Sequence, residues 1–114
     1  MAKRIARVNQ LIKKELSQII LREIDFPLGV LATLTRVETS ANLIESKIYI
    51  SVLPGTQSLK VFQILNSQIY NLQQRLNHRL KMRPIPKIKF LKEQETEEAG
   101  KIEEILEKLK NKEN

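Results

Sequence analysis

Basic side chains offer the clearest chemistry in this sequence, and they are concentrated in residues 60–92. This segment contains eight Lys or Arg residues and no Asp or Glu. Arg75, Arg79 and Arg83 recur at intervals of four, which predicts a single basic ridge along a helix. Because an arginine can bind a phosphate through two parallel hydrogen bonds, this spacing favours contacts with a nucleic-acid backbone.

Two lysines and the scarcity of aromatic residues indicate how such a backbone would be recognised. Lys87 and Lys89 project from one side of a predicted strand directly after the arginine series. Tyr49 and Tyr70 are the only tyrosines, and the sequence has no tryptophan. Base stacking on a sheet surface is therefore not expected. We expect recognition of phosphates and shape, with a strong dependence on salt concentration.

The charge is unevenly distributed along the chain. Residues 1–92 contain 16 Lys or Arg and 5 Asp or Glu, a balance of +11, whereas residues 93–114 contain 4 Lys and 8 Glu, a balance of −4. A basic body with an acidic end is typical of nucleic-acid-binding proteins. The alternative is a basic face that serves only solubility, as in a protein-interaction domain with an incidentally basic surface.

The residue types that catalysis requires are sparse. The single histidine, His78, has no carboxylate near it in the sequence, and the five acids before residue 93 form no metal-binding pattern. Three glycines form no phosphate-binding loop, and no serine lies in the context of a nucleophile. We therefore expect a protein that is not an enzyme and that uses no cofactor, metal or small-molecule substrate.

Composition favours one compact domain. The 114 residues are 41% hydrophobic and include no cysteine, which excludes disulfides and thiolate metal sites. No apolar run approaches the ~20 residues of a membrane helix. We expect a cytoplasmic monomer without membrane contacts.

Periodicity predicts the first three elements. Apolar residues at steps of three and four indicate an amphipathic helix over residues 3–22, before the break at 25–29. Residues 30–38 and 46–54 read as two strands of an antiparallel hairpin. In the second strand, Ile48, Ile50 and Val52 are expected to face the core.

A long helical pattern then covers residues 59–82, with Ser58 as its expected cap. A straight helix of this length would measure about 36 Å. A domain of this size is only about 26–30 Å across. We therefore expect a bend or break near Asn66 and Ser67, which are weak helix formers.

Two prolines, Pro84 and Pro86, should end this helix and lead into a third strand, whose beginning they confine to an edge or an entry position of the sheet. Apolar positions 102, 105, 106 and 109 indicate a C-terminal helix, whose stripe either packs on the domain or docks elsewhere. The predicted fold class is α+β, with the order α-β-β-α-(α)-β plus that helix. A three-stranded sheet is covered by helices on one face.

Three strings in this order resemble the ribosome-binding factor A family, whose members assist assembly of the small ribosomal subunit. They are RVNQLIKKELSQII (7–20), VETSANLIESKIYISVL (37–53) and LKMRPIPKIKF (80–90), and EAGKIEEIL resembles the family's ending. The resemblance covers residues 3–109. It implies a type II KH-like single domain, with residues 1–92 as the RNA-binding part and 93–114 as an acidic C-terminal helix of the same domain.

The sequence departs from the family's pattern at two places. The family carries an Ala-x-Gly kink in place of the usual KH GxxG loop, and this kink falls on Gln68-Ile69-Tyr70 here. The hairpin turn has Asn42 where the family usually has Asp.

The resemblance implies a non-catalytic assembly factor that binds the immature 30S subunit and its rRNA and supports late 16S rRNA processing. A KH-like module for another RNA remains an alternative. Nine basic residues are predicted to contact RNA phosphates: Arg75, Arg79, Lys81, Arg83, Lys87 and Lys89, assisted by Lys3, Arg4 and Arg7.

Overall fold

A computed structural model describes residues 2–93 of the protein. The predicted acidic helix therefore lies outside the described residues, apart from Glu93. The elements are α1 (Ala2–Glu23), β1 (Leu31–Thr39), β2 (Glu45–Leu53), a 3₁₀ turn (Gly55–Gln57), α2 (Ser58–Ser67), α3 (Ile69–Arg79) and β3 (Lys87–Lys92).

Helix α1 is continuous because its 22 residues contain neither proline nor glycine. Its predicted apolar stripe is buried, with Ile12 and Leu16 fully inaccessible to solvent. The chain turns after the helix, where the amide of Val30 donates to the carbonyl of Pro27 at 3.1 Å. Gly29 in this turn has a φ of +82°, a left-handed conformation that glycine adopts without a steric cost.

Strands β1 and β2 form the predicted antiparallel hairpin, with Leu31 opposite Leu53 at one end and Thr39 opposite Ser46 at the other. A register irregularity lies between Leu34 and Arg36. Asn42 organises the turn, since its side-chain oxygen accepts from the hydroxyl of Ser40 at 2.6 Å and the amide of Ile44 at 3.1 Å. Asparagine at this position therefore preserves a closed turn.

The long helical segment is broken in two, as predicted, because Gln68 lies between α2 and α3 with φ −105° and ψ 5°. The hydroxyl of Ser67 donates to the carbonyl of Ile64 at 2.7 Å, a back-bond that bends helices. The break therefore forms where the resemblance places the kink, without alanine or glycine.

Two local predictions about this segment are wrong. Ser58 is the first residue of α2 rather than its cap, and its hydroxyl donates to the carbonyl of Gly55 at 2.7 Å. Helix α3 ends at Arg79 instead of continuing to Met82. Leu80 is already extended (φ −91°, ψ 135°), so the chain leaves the helix four residues before Pro84.

Strand β3 lies at the edge of the sheet, in the order β1-β2-β3, and pairs in parallel with β2. Its alternation is as predicted, with Ile88 and Phe90 buried and Lys87 and Lys89 exposed. The buried strand residues, including Ile48, Ile50 and Val52, form one core with α1, α2 and α3. The predicted KH-like α+β architecture is confirmed, with the helices on one face of a three-stranded sheet.

Candidate RNA-binding surface

The core fixes where the basic residues of α3 point. Leu72 and Leu76 are fully buried in the cluster that includes Ile19 of α1. Because residues on a helix turn by about 100° each, Arg75 and Arg79 are held at the flank of this contact. Their side chains are 51% and 29% exposed, respectively.

Both arginines form ion pairs with α1. The Nε of Arg75 lies 3.1 Å from Glu23, and the Nη1 of Arg79 lies 3.1 Å from Glu15. Arg79 also donates to the side-chain oxygen of Gln18 at 3.2 Å. The order of these pairs shows that α3 runs antiparallel to α1. The two carboxylates also reduce the net positive charge of the predicted ridge.

A surface groove of about 320 Å³ lies between these two helices. Its lining is Ile19, Arg22, Glu23, Arg75, His78 and Arg79. His78 is exposed, as expected for a surface residue. The structure brings it into the same groove as the carboxylate of Glu23, a proximity that a separation of 55 positions conceals in the sequence.

Arg83 does not extend the ridge, and the prediction of one helical ridge through three arginines is wrong. Helix α3 ends at Arg79, so the i+4 spacing from Arg79 to Arg83 is not helical. The Nη1 of Arg83 donates instead to the carbonyls of Leu80 and Met82, at 3.3 and 2.8 Å. The proline after Arg83 disfavours helical geometry there.

Backbone and side-chain hydrogen bonds place several basic residues at one end of the molecule. The amide of Lys87 donates to the carbonyl of Ile44 at 2.9 Å, so β3 starts beside the hairpin turn. The amide of Thr39 donates to Asn9 at 2.9 Å, which sets the first half of α1 at that same turn. We name this region the basic end. By their nearness along the chain to these contacts, we assign to it six residues, all of them exposed: Lys3, Arg4, Arg7, Lys81, Arg83 and Lys87.

The start of α1 contributes an unusual charge distribution to the basic end. Its first turn contains no acidic residue, and Lys3, Arg4 and Arg7 occupy its first two turns. Cations near a helix N-terminus are unfavourable, because the helix dipole places partial positive charge there. An external anion such as a phosphate would offset this repulsion.

The outer face of the sheet adds a lysine that the sequence analysis missed. Lys89 of β3 is paired in register with Lys47 of β2, and Lys87 with Glu45. Neighbouring strands lie about 4.8 Å apart, so the two lysine side chains leave the sheet side by side. No ion pair within residues 2–93 involves Lys47 or Lys89. The alternation of residues in β2 is enough to predict that Lys47 faces solvent. Only the strand register shows that Lys89 lies beside it.

A second group of side chains on the outer face surrounds Tyr49. The guanidinium of Arg36 lies 3.7 Å from the centre of the Tyr49 ring, and the Tyr49 hydroxyl donates to Glu38 at 3.2 Å. Arg36 also forms ion pairs with Glu38 and with Glu93, the latter at 3.0 Å. The hydrogen bond to Glu93 raises the pKa of Arg36. Because Arg36 covers one face of the Tyr49 ring, that face is not available for base stacking.

Within residues 2–93, no group of three or more His, Asp or Glu side chains could hold a metal ion. None of the helices in this part of the chain has the length and apolar character that crossing a membrane requires.

Comparison with known proteins identifies the family. The family model of ribosome-binding factor A matches residues 4–106. Ribosome-binding factor A of Bdellovibrio bacteriovorus is 33% identical over 108 residues, covering 94% of this chain and 81% of the relative. The chain belongs to the ribosome-binding factor A family. The protein of this name from Synechocystis is also 33% identical, over 112 residues that cover 95% of this chain and 84% of the relative.

Solved structures of the same family share the fold. The crystal structure of ribosome-binding factor A from Thermus thermophilus superimposes with a TM-score of 0.67, at 23% identity, over 77% of this chain and 94% of that chain. A homology model of the Thermus thermophilus factor, fitted into the cryo-EM map of a 30S complex, gives a TM-score of 0.58 at 24% identity. It covers 73% of this chain and 88% of that chain.

The structure divides the nine predicted residues of this family member into three groups. Six lie at the basic end, Arg75 and Arg79 lie in the groove between α1 and α3, and Lys89 lies beside Lys47 on the outer face. Their role in RNA binding remains a prediction.

Proposed function

We propose that this protein binds the small ribosomal subunit during its assembly, through contacts with rRNA phosphates. The observation that carries the proposal is the family match over residues 4–106. The Thermus thermophilus factor fitted into the map of a 30S complex provides a relative with that partner. The distribution of charge in this chain supports the same conclusion independently, because rRNA is a polyanion.

The basic end is the proposed primary contact. Its six cations have no ion-pair partner within residues 2–93. They come from two segments distant in sequence, the first two turns of α1 and the connection from α3 to β3 together with the first residue of β3. Such a cluster retains its full charge for phosphates, and binding would release counterions from the RNA.

The arginines of the groove have a secondary part in this proposal. A guanidinium has five N–H donors, and Arg79 uses Nη1 for both of its protein acceptors. Arg75 uses Nε for Glu23 and for Asn71. Both therefore keep donors for a phosphate while the carboxylates hold their orientation. The lysines of the outer face, Lys47 and Lys89, would meet RNA only if it also crosses the sheet.

The proposed role is binding without catalysis, in the cytoplasm. In this role the protein binds an immature small subunit, supports late processing of its 16S rRNA and then dissociates from the subunit. Recognition through exposed Lys and Arg side chains, rather than through a stacking platform, suits a factor that reads the shape and backbone of folded rRNA.

Sedimentation of a cell extract tests the proposal. The protein should migrate with free small subunits and be absent from complete ribosomes. Recovery with messenger RNA and without ribosomal particles would favour a KH-like module for another RNA. Absence of any salt-sensitive affinity for RNA would favour a protein-interaction domain and would refute the proposal.

A further inference from the structure

An apolar groove opens between the second half of α1 and the first half of β1, on the helical side of the sheet. Its volume is about 460 Å³. The groove is distinct from the basic end, which lies beside the opposite end of β1. Its principal apolar lining residues are Leu21, Ile24, Phe26, Val30, Leu31 and Leu65.

The rim of this groove carries two exposed leucines. Leu21 is 83% exposed and Leu31 is 59% exposed, while Ile50 at the floor is only 2% exposed. Strand β1 is also one of the two edges of the sheet within residues 2–93. A contiguous apolar rim beside a buried floor is typical of a docking surface.

The described chain ends in a position that leads toward this groove. The amide of Glu93 donates to the carbonyl of Ile50 at 2.9 Å, so Glu93 continues β3 alongside β2. Its carboxylate reaches across β2 to Thr35 and Arg36 on β1. Glu93 is thus held beside Ile50, a residue of the groove lining, and lies two strands from the edge where the groove opens.

The length of the following segment is sufficient to reach the groove. From Glu93 to Ile102 there are nine residue steps, which span up to about 30 Å when extended. The path crosses two strand spacings of about 4.8 Å and then passes around the edge of the sheet, which adds about 10 Å to reach the helical layer. The available length exceeds this path by about 10 Å.

The chemistry of the segment matches the groove. Ile102, Ile105, Leu106 and Leu109 follow helical spacing and would form an apolar stripe about 10 Å long. Residues 94–114 contain 4 Lys and 7 Glu, a balance of −3, and the rest of the chain carries +10. This attraction is to the domain as a whole, because the groove lining contains Asp25 and no Lys or Arg. The outer face of the sheet presents Lys47, Lys87 and Lys89, so it offers the stripe no equivalent apolar surface.

We propose that residues 102–109 dock their apolar stripe into the groove between α1 and β1 of the same molecule. The docked segment would cover Leu21 and Leu31 and would place the acidic end of the chain against the basic domain of the same molecule. This inference is independent of ribosome binding.

A spin-label experiment on the full chain tests this docking. The protein has no cysteine, so Asn111→Cys provides a single site for a nitroxide label on the side away from the stripe. The oxidised label should reduce the amide signals of Leu21, Val30 and Leu31 relative to the reduced label. The signals of Lys47 and Lys89 should keep their intensity.

Matched substitutions separate docking from a general effect of charge. Leu21→Glu should abolish the loss of signal around the groove, because it places a carboxylate in the path of an acidic segment. Leu59→Glu introduces the same charge at a leucine outside the groove that is also largely exposed, at 74%, and should leave the signal loss unchanged.

Three results would overturn the inference. One is signal loss centred on Lys47 and Lys89, and another is uniform loss that Leu21→Glu does not alter. The third is transfer of the effect from a labelled chain to an isotope-labelled, cysteine-free chain in a mixture, since a second copy would then occupy the groove.

Discussion

The guanidinium of Arg79 lies 3.1 Å from the carboxylate of Glu15, although 64 positions separate them in the chain. This pair ties α3 to α1 and holds an arginine that was predicted to bind RNA. Its side chains are 29% and 21% exposed, so the pair is not fully buried. An ion pair in such a position contributes only up to about 1 kcal/mol to folding.

Removing the carboxylate of this pair should therefore separate folding from binding. Glu15→Gln should lower the free energy of unfolding by no more than about 1 kcal/mol. It should strengthen binding to rRNA, because Arg79 loses its competing anion. Urea denaturation and filter binding measure the two effects. Asp25→Asn is the control, since it removes the same charge from an exposed position two residues after the end of α1; an equal gain in affinity there would show a non-specific effect of charge.

Each cation of the basic end that contacts a phosphate should contribute separately to the salt dependence of RNA binding. Lys81→Ala or Lys87→Ala should each reduce the slope of log K against log salt by about one unit. Lys60→Ala, an exposed residue of α2 outside all three basic groups, should leave the slope unchanged. If Lys60→Ala flattened the slope as much as Lys87→Ala does, the contact would not be located at the basic end.

The core between α1 and α3 should dominate stability. Leu76 is fully buried, and Leu76→Ala should lower the free energy of unfolding by about 2–5 kcal/mol because it leaves a cavity. Leu59→Ala, at a leucine that is 74% exposed, should change it by less than about 0.5 kcal/mol. Urea titrations of both variants make the comparison, and equal losses would contradict the arrangement of the helices.

The break between α2 and α3 should not benefit from the glycine that the family carries. Tyr70 is a helical residue of α3 here, so Tyr70→Gly should cost about 0.5 kcal/mol of helix stability. Tyr70→Ala should be neutral or slightly stabilising, since the ring is 76% exposed. Thermal unfolding measures both, and a stabilising glycine would show that the break is strained at this position.

Much of the fold was predictable because its signals are local. The apolar steps of α1, the alternation of Ile48 and Ile50, and the weak helix formers before Gln68 each depend on neighbouring residues. The first helix and the two hairpin strands follow from apolar periods of 3.6 and 2 residues, and the helix break follows from side-chain propensity.

The arrangement of the candidate site was less predictable because it depends on long-range contacts. Local periodicity cannot show that Arg36 meets Glu93, 57 positions away, or that Lys47 lies beside Lys89 in a parallel pair. The spacing of Arg79 and Arg83 suggested one ridge, but the chain is already extended at Leu80. Sequence patterns thus located the basic residues without showing which of them share a surface.

Binding of the full chain to purified small ribosomal subunits over a range of salt concentrations tests the central claim most directly. The account predicts saturable binding whose log K falls linearly with log salt, with a shallower slope after Lys81→Ala and Lys87→Ala. Failure to bind small subunits at low salt, or binding with no salt dependence, would contradict it.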